Sequence, residues 1–206
     1  MNAEQLRHLL RAAAKIIGEK EFTVIGSQSI LGSHPDAPRS LRKSIEGDTY
    51  PKYRPGKSID IDGAIGELSV FHQEFGYYAH GVAPETATLP EGWEKRLVEF
   101  RVNDPTETIG WCLEKHDLTF SKLAAGRPKD IEFIRELLKH RLIILPLFLP
   151  IPEIRVNSRL KTLPRLTNRV KQSSFRDDLR PRTKDQGRRT SDHRPRHALQ
   201  PLDTIL

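Results

Sequence analysis

A chain of 206 residues with 36% hydrophobic and 30% charged residues has the length of one α/β domain with an appendage, and is short for two independent enzymes. Its one cysteine, Cys112, excludes an intrachain disulfide framework and a CxxC-type zinc cluster. The formal net charge of +7 is uneven, because residues 157–206 hold 13 Lys/Arg against 5 Asp/Glu and the preceding residues are close to neutral.

The basic end, RLKTLPRLTNRVKQSSFRDDLRPRTKDQGRRTSDHRPRHALQPLDTIL, has one aromatic and four prolines. Such a composition buries too little apolar surface to offset the entropy of ordering it, so disorder is expected from residue 165 onward. It reads either as a tether for nucleic acid or another anionic partner, or as a solvated tail. Without interleaved aromatics it has little on which bases can stack. The opening MNAEQLRHLLRAAAKIIGEK carries a polar residue every few positions and lacks a signal-peptide core. The longest apolar run, Leu142 to Ile151, is about half a membrane span and contains Pro146 and Pro150. A soluble, cytoplasmic protein with no membrane partner is the expectation.

Leu6, Leu9, Leu10, Ala13, Ile16 and Ile17 recur at three- and four-residue steps, which predicts an amphipathic helix over residues 2–18. Residues 22–25 (FTVI) read as a short buried strand stopped by Gly26-Ser27, with QSILG starting a helix directly after it. Residues 33–43 read as a loop and 44–48 (SIEGD) as a strand. Helical period returns over 58–73, with Ile61, Ile65, Leu68 and Phe71 on one face. Residues 77–79 and 95–102 are strand candidates separated by an LPEGW turn. Two helices close the organised part, over 116–125 and 128–140. The second has Pro128 at the favourable first position and Ile131, Ile134, Leu137 and Leu138 as its buried stripe. Strands interleaved with helices predict an α/β or α+β sandwich.

Three features carry chemistry. Gly26-Ser27 ends a strand and opens a helix, so free N–H groups and a hydroxyl meet a positive helix end, which suits phosphate. An ordinary turn has the same residues. Glu46 and Asp48, at i and i+2 of a strand, share one face, where two carboxylates repel unless a cation lies between them. Hard oxygen ligands suit Mg²⁺, while Gly47 makes an exposed turn the competing reading. Asp117-Leu-Thr-Phe-Ser-Lys122, followed by Arg127, Lys129 and Asp130, puts a polar set on neighbouring helix ends, to hold a nucleotide or to form inter-helix salt bridges. His72, His80 and His116 lack zinc-ligand spacing, Trp93 and Trp111 read as core or rim aromatics, and Cys112 as a buried thiol.

In this order the three features resemble the nucleotidyltransferase (polymerase-beta-like) superfamily. Within it they most resemble bacterial nucleotidyltransferase-like proteins of unassigned function related to the AbiEii toxins. The matching residues are FTVIGSQSILG (22–32), SIEGD (44–48), IDGAIGELSVFHQEFGYYAHGV (61–82), LPEGWEKRL (89–97) and HDLTFSKLAAGRPKDIEFIREL (116–137). The resemblance implies a nucleotidyltransferase-like domain over 1–142, a small mixed sheet flanked by helices. An apolar, proline-containing strap with a short helix near 153–161 then fills 143–164, and the basic tail follows from 165. By position the resemblance implies that Gly26 and Ser27 hold phosphates and that Glu46 and Asp48 bind Mg²⁺ (or Mn²⁺). It implies nucleotide binding and catalysis for Lys122 and Asp130, with Asp117 and Arg127 in support. Two departures stand out. Glu46 occupies a place where Asp is usual, and no third carboxylate is identifiable, since Glu94 and Glu99 lie near a candidate strand but in no motif.

The resemblance implies an NTP substrate and transfer of a nucleoside monophosphate to a hydroxyl of a protein, an RNA or a small molecule. Two alternatives stay open. One is a catalytically silent module that binds a nucleotide or a cognate partner protein, as half of a toxin–antitoxin-like pair. The other is a nucleic-acid-binding protein acting through its basic tail, whose binding would fall steeply with salt. Limited trypsin digestion is expected to trim the tail within minutes. Survival of the intact 206-residue species beside a digested control would remove the expectation of disorder.

Overall fold

Asn2 opens the first helix, α1 (Ala3–Ile17), with a reciprocal cap. Its Oδ1 accepts the Gln5 N–H at 2.9 Å, and the Gln5 side chain accepts the Asn2 N–H at 2.8 Å. Gly18, at φ 71, ends the helix in the left-handed conformation. Leu6, Leu9, Leu10 and Ala13 form a fully buried stripe, so packing rather than propensity holds the helix. The computed structural model describes residues 1–144. The strap beyond Ile144, the short helix expected near 153–161 and the tail lie outside the described residues.

Five strands make one mixed sheet: β1 (Glu21–Val24), β2 (Glu46–Pro51), β3 (Tyr78–Gly81), β4 (Val98–Arg101) and β5 (Ile109–Cys112). Their spatial order is β3-β2-β1-β5-β4. β1 runs antiparallel to β2 and parallel to β5, β2 is parallel to β3, and β4 is antiparallel to β5. The expected mixed sheet flanked by helices is therefore present.

The period of two along each strand divides the sheet into a core face and a polar face. Gly47 and Gly110 lie on the core face, where α1 comes so close that a side chain at either position would have to displace a leucine of that helix. A Cβ at Gly47 would meet Leu9 Cδ1 at 3.1 Å, and one at Gly110 would meet Leu10 Cδ1 at 2.7 Å. Helix α2 (Ile30–Ser33) packs on β5 and β4, and α3 (Ser58–Ile65) packs on α1 and β3. Glu46, Asp48, Tyr78 and His80 alternate to the opposite face. After β5 the chain forms α5 (Lys115–Ala125) and α6 (Pro128–Lys139), which pack on each other. Phe133, Ile134 and Leu137 bury the inner side of α6.

Four local differences separate the structure from the sequence expectations. The helix expected over 58–73 is two helices, α3 and α4 (Val70–Phe75). Leu68, at φ 63, breaks the run and is 79% exposed rather than buried with Ile61 and Ile65. Ser69 then caps α4 by accepting the His72 N–H at 3.1 Å. The strand expected over 44–48 starts at Glu46 and runs on to Pro51. The strand expected over 95–102 begins only at Val98, after a 3₁₀ turn at Trp93–Arg96. β5 has no counterpart among the expected elements, because IGWC is four residues long and its glycine hides the alternation.

β3 and β4 are the two edges of the sheet, so the connection between them crosses its whole width, about 19 Å at the usual strand spacing. Among the described residues no helix is long and apolar enough to cross a membrane. Leu10 is fully buried between α1 and the sheet, and Leu10→Ala is expected to cost about 2–5 kcal/mol in denaturant unfolding. A loss below about 1 kcal/mol would contradict the close packing of α1 on β5.

Candidate functional site

The site begins where β1 ends. Gly26 has φ 68, a value that disfavours any side chain, and a Cβ there would overlap the Asp48 carboxylate. Glycine is therefore needed both for the turn and to let Asp48 stand against the backbone. Ser27 opens a 3₁₀ turn of three residues followed by α2, which has four. A helix does follow the strand as expected, but it is too short to lend a substantial helix dipole. Backbone N–H groups and the Ser27 hydroxyl remain as hydrogen-bond donors at this turn. The Ser27 side chain has no partner among the described residues and lines the cleft.

β2 supplies the acids. It is a true strand, not a turn, and Glu46 and Asp48 project from its polar face. In the parallel register with β3, Asp48 sits opposite His80 and Glu46 opposite Tyr78. His80 Nδ1 lies 2.9 Å from Asp48 Oδ1, and the Tyr78 hydroxyl donates to Glu46 Oε2 at 3.3 Å. One donor atom each from Glu46, Asp48 and His80 lies within 4.8 Å of the others. Two carboxylates and an imidazole at that separation fit a divalent cation without rearrangement of the strands. Burial pushes the Asp48 carboxyl above its ordinary value, and the Glu46 charge adds to this, although the His80 hydrogen bond pulls the other way. Burial and the Glu46 charge likewise push the Tyr78 phenol up to about 12.

The helical pair supplies the cations. Lys122, on α5, donates from Nζ to Asp130 Oδ1 at 3.0 Å. Arg127, at the start of α6, donates from Nε to Asp130 Oδ2 at 2.6 Å. Asp130 is 0% exposed and Lys122 is 7% exposed, so their ion pair is a buried brace between the helices, with Arg127 closing it from the exposed side. Burial alone would raise the Asp130 carboxyl, but the Arg127 hydrogen bond and the Lys122 ammonium hold it below the ordinary carboxylate value. Its stabilising effect is present above the ordinary range and is lost as pH falls through that lowered value.

These parts meet in one cleft of about 810 Å³. Gly26, Ser27, Glu46, Asp48, Lys122 and Arg127 all line it, together with Lys129, whose Nζ is 3.9 Å from Glu46 Oε1. Asp130 stands behind Lys122 and Arg127 and does not line the cleft. Asp117 does not line it either. Arg96 grips both Asp117 oxygens at 2.8 Å, which ties the 93–96 turn to the first turn of α5. Thr86, Ala87 and Thr88, on the connection between β3 and β4, form another wall.

His80 lies one residue beyond the strand expected over 77–79 and has no zinc-ligand spacing. The structure extends that strand through it and sets it opposite Asp48. Glu94 and Glu99 do not line the cleft. Glu99 is on β4, at the far edge of the sheet from His80, and pairs with Arg101. Cys112 is fully buried, its thiol pushed up to about 12 by burial, and takes no part. Trp111 donates its indole N–H to Glu21 Oε2 at 2.7 Å with Lys52 over its ring, a rim arrangement away from the cleft.

A family model described as nucleotidyltransferase of unknown function (DUF6036) matches residues 4–146. No curated protein and no solved structure matches the chain.

Asp130→Ala is expected to lower the unfolding free energy by about 3–5 kcal/mol, because it leaves the Lys122 ammonium buried without the carboxylate it bonds. Lys122→Met combined with Asp130→Leu should recover most of that loss. Strictly additive losses in the double-mutant cycle would show that the brace is not a coupled unit.

Proposed function

The chain belongs to this nucleotidyltransferase family, and from that premise we propose that its cleft binds an NTP with a divalent cation and transfers a nucleoside monophosphate to an acceptor hydroxyl. The observation that carries the reading is a juxtaposition. The glycine-serine turn after β1, the carboxylates of β2 and the cations of α5 and α6 line one cleft, although about a hundred residues separate the first from the last.

In this reading the triphosphate lies along the Gly26–Ser27 turn, whose N–H groups and hydroxyl donate to its oxygens. Lys122 gives one N–H to Asp130 and keeps two for phosphate. Asp130 thereby acts as a positioning residue, and Arg127 adds a guanidinium already oriented by the same carboxylate. Asp117 holds the wall of the cleft in place through Arg96. A divalent ion held by Glu46, Asp48 and His80 would supply Lewis-acid stabilisation of the phosphate oxygens. The acceptor oxygen forms a bond to the α-phosphorus as the bond from that phosphorus to its β-bridging oxygen breaks. Pyrophosphate leaves and the acceptor's proton passes to solvent. Charge stabilisation by fixed donors is the main contribution asked of the protein.

One observation favours a second reading. Among the described residues that line the cleft two are carboxylates, Glu46 and Asp48, and the third member of the ligand cluster they form is a histidine. A module that binds nucleotide without turnover has no need of a third acid. The resemblance to AbiEii-related proteins supports pairing such a module with a cognate protein partner. A contribution from the basic tail to RNA binding belongs to the same set of proposals.

The deciding experiment incubates the full chain with each labelled NTP and Mg²⁺ or Mn²⁺, with cell lysate as acceptor. Label transfer with release of pyrophosphate supports the enzyme. Retention of NTP without pyrophosphate release supports the silent module, and no retention removes both. Asp48→Ala is expected to abolish metal-dependent retention while leaving the metal-free Tm unchanged or raised, because a desolvated carboxylate beside Glu46 is removed. A large loss of stability would instead make Asp48 structural.

A further inference from the structure

The two carboxylates of β2 are joined in the cleft by a side chain of a different chemical kind. His80 faces Asp48 across the parallel β2–β3 register, so their side chains leave the same face of the sheet. The imidazole is 49% exposed on its side chain, with Nδ1 2.9 Å from Asp48 Oδ1. Its donor atom falls within 4.8 Å of those of both acids. We infer that His80 is a third metal ligand and that it biases this cleft toward a first-row transition ion such as Mn²⁺ over Mg²⁺.

The chemistry follows from the donor set. Mg²⁺ takes oxygen ligands in a tight octahedron and gives up water reluctantly, so an imidazole adds little to its binding. Transition ions of the same charge accept imidazole readily, and a nitrogen donor therefore raises their affinity selectively. Electrostatics favour the same arrangement. A third carboxylate within 4.8 Å of Glu46 and Asp48 would place three anions together, whereas a neutral imidazole leaves two negative charges to match one divalent ion. The neighbours hold the acids ready: Tyr78 donates to Glu46 Oε2, and the backbone N–H of Ile25 donates to the Asp48 carbonyl at 2.9 Å. The inference rests on the metal-dependent nucleotide reading of the same cleft, and it concerns which ion that cleft selects.

The test uses the full metal-free chain and Mn²⁺ alone, with no nucleotide and no turnover. Bound Mn²⁺ is counted by the loss of the free-ion electron paramagnetic resonance signal, and Mg²⁺ is then added as competitor. Pulsed measurements on the bound ion read directly coordinated ¹⁴N. The wild type is expected to show imidazole nitrogen coupling and to prefer Mn²⁺. His80→Asp keeps an oxygen ligand, so it should still bind Mn²⁺, lose the nitrogen coupling, and lower the Mn²⁺/Mg²⁺ preference about tenfold. Circular dichroism and the Tm show whether the variant is folded, and if it is not, the wild-type nitrogen coupling decides alone. Bound Mn²⁺ without nitrogen coupling, no Mn²⁺ binding at all, or an unchanged preference in folded His80→Asp overturns the inference. Retention of labelled NTP, measured separately, reports on the nucleotide reading. Nitrogen-coupled Mn²⁺ with no NTP retention would uphold the site and remove the nucleotide.

Discussion

β2 has to serve two environments at once, and most of the molecule is arranged around that demand. Gly47 and Thr49 turn toward α1, while Glu46 and Asp48 turn toward the cleft. A slip of one residue would exchange the two sets and turn both carboxylates toward the apolar core face, where Leu9 of α1 packs. Two bonds to the β1 segment pin the register. Thr49 Oγ1 donates to the Thr23 carbonyl at 2.9 Å inside the sheet, and the Ile25 N–H donates to the Asp48 carbonyl just past the end of β1. The second bond also draws the Gly26 turn against Asp48. One strand pairing therefore fixes both the hydrophobic contact and the polar geometry.

Charge is sorted by element. The sheet contributes the acidic floor, and the helical pair contributes the basic wall, with Asp130 buried as the one acid that orders that wall. Asp130 binds its two cations at different depths: Lys122 is almost enclosed, whereas the Arg127 side chain is 58% exposed. The first ion pair fixes α5 against α6, and the second holds an exposed cation at the rim of the cleft. Under the proposed reading, an anion in the cleft would meet cations already oriented by Asp130.

What was legible in the sequence was local. The stripe of α1, the FTV strand, helices α5 and α6, and the same-face placement of Glu46 and Asp48 all follow from period and end signals within a few residues. Elements that depend on a distant partner were not legible. β5 is too short to announce itself and exists because β1 and β4 pair with it on either side. His80 gains its meaning from a register with Asp48, 32 residues earlier in the chain. Asp117 sits in the right motif, but its two oxygens are already taken by Arg96, which no spacing rule connects to it. The break at Leu68 was hidden because the helical period continues across it while the backbone does not.

The connection from β3 to β4 passes from one edge of the sheet to the other and presents residues 86–88 to the cleft on the way. It pairs with no strand at the point where it meets the cleft, and Arg96 anchors its far end to Asp117. Surface connections of this kind accept insertions and substitutions more readily than the elements they join. The cleft thus has one part built from sheet and helices and another built from a connection held at its ends. Substitutions in residues 86–88 can therefore reshape the opening without re-pairing a single strand.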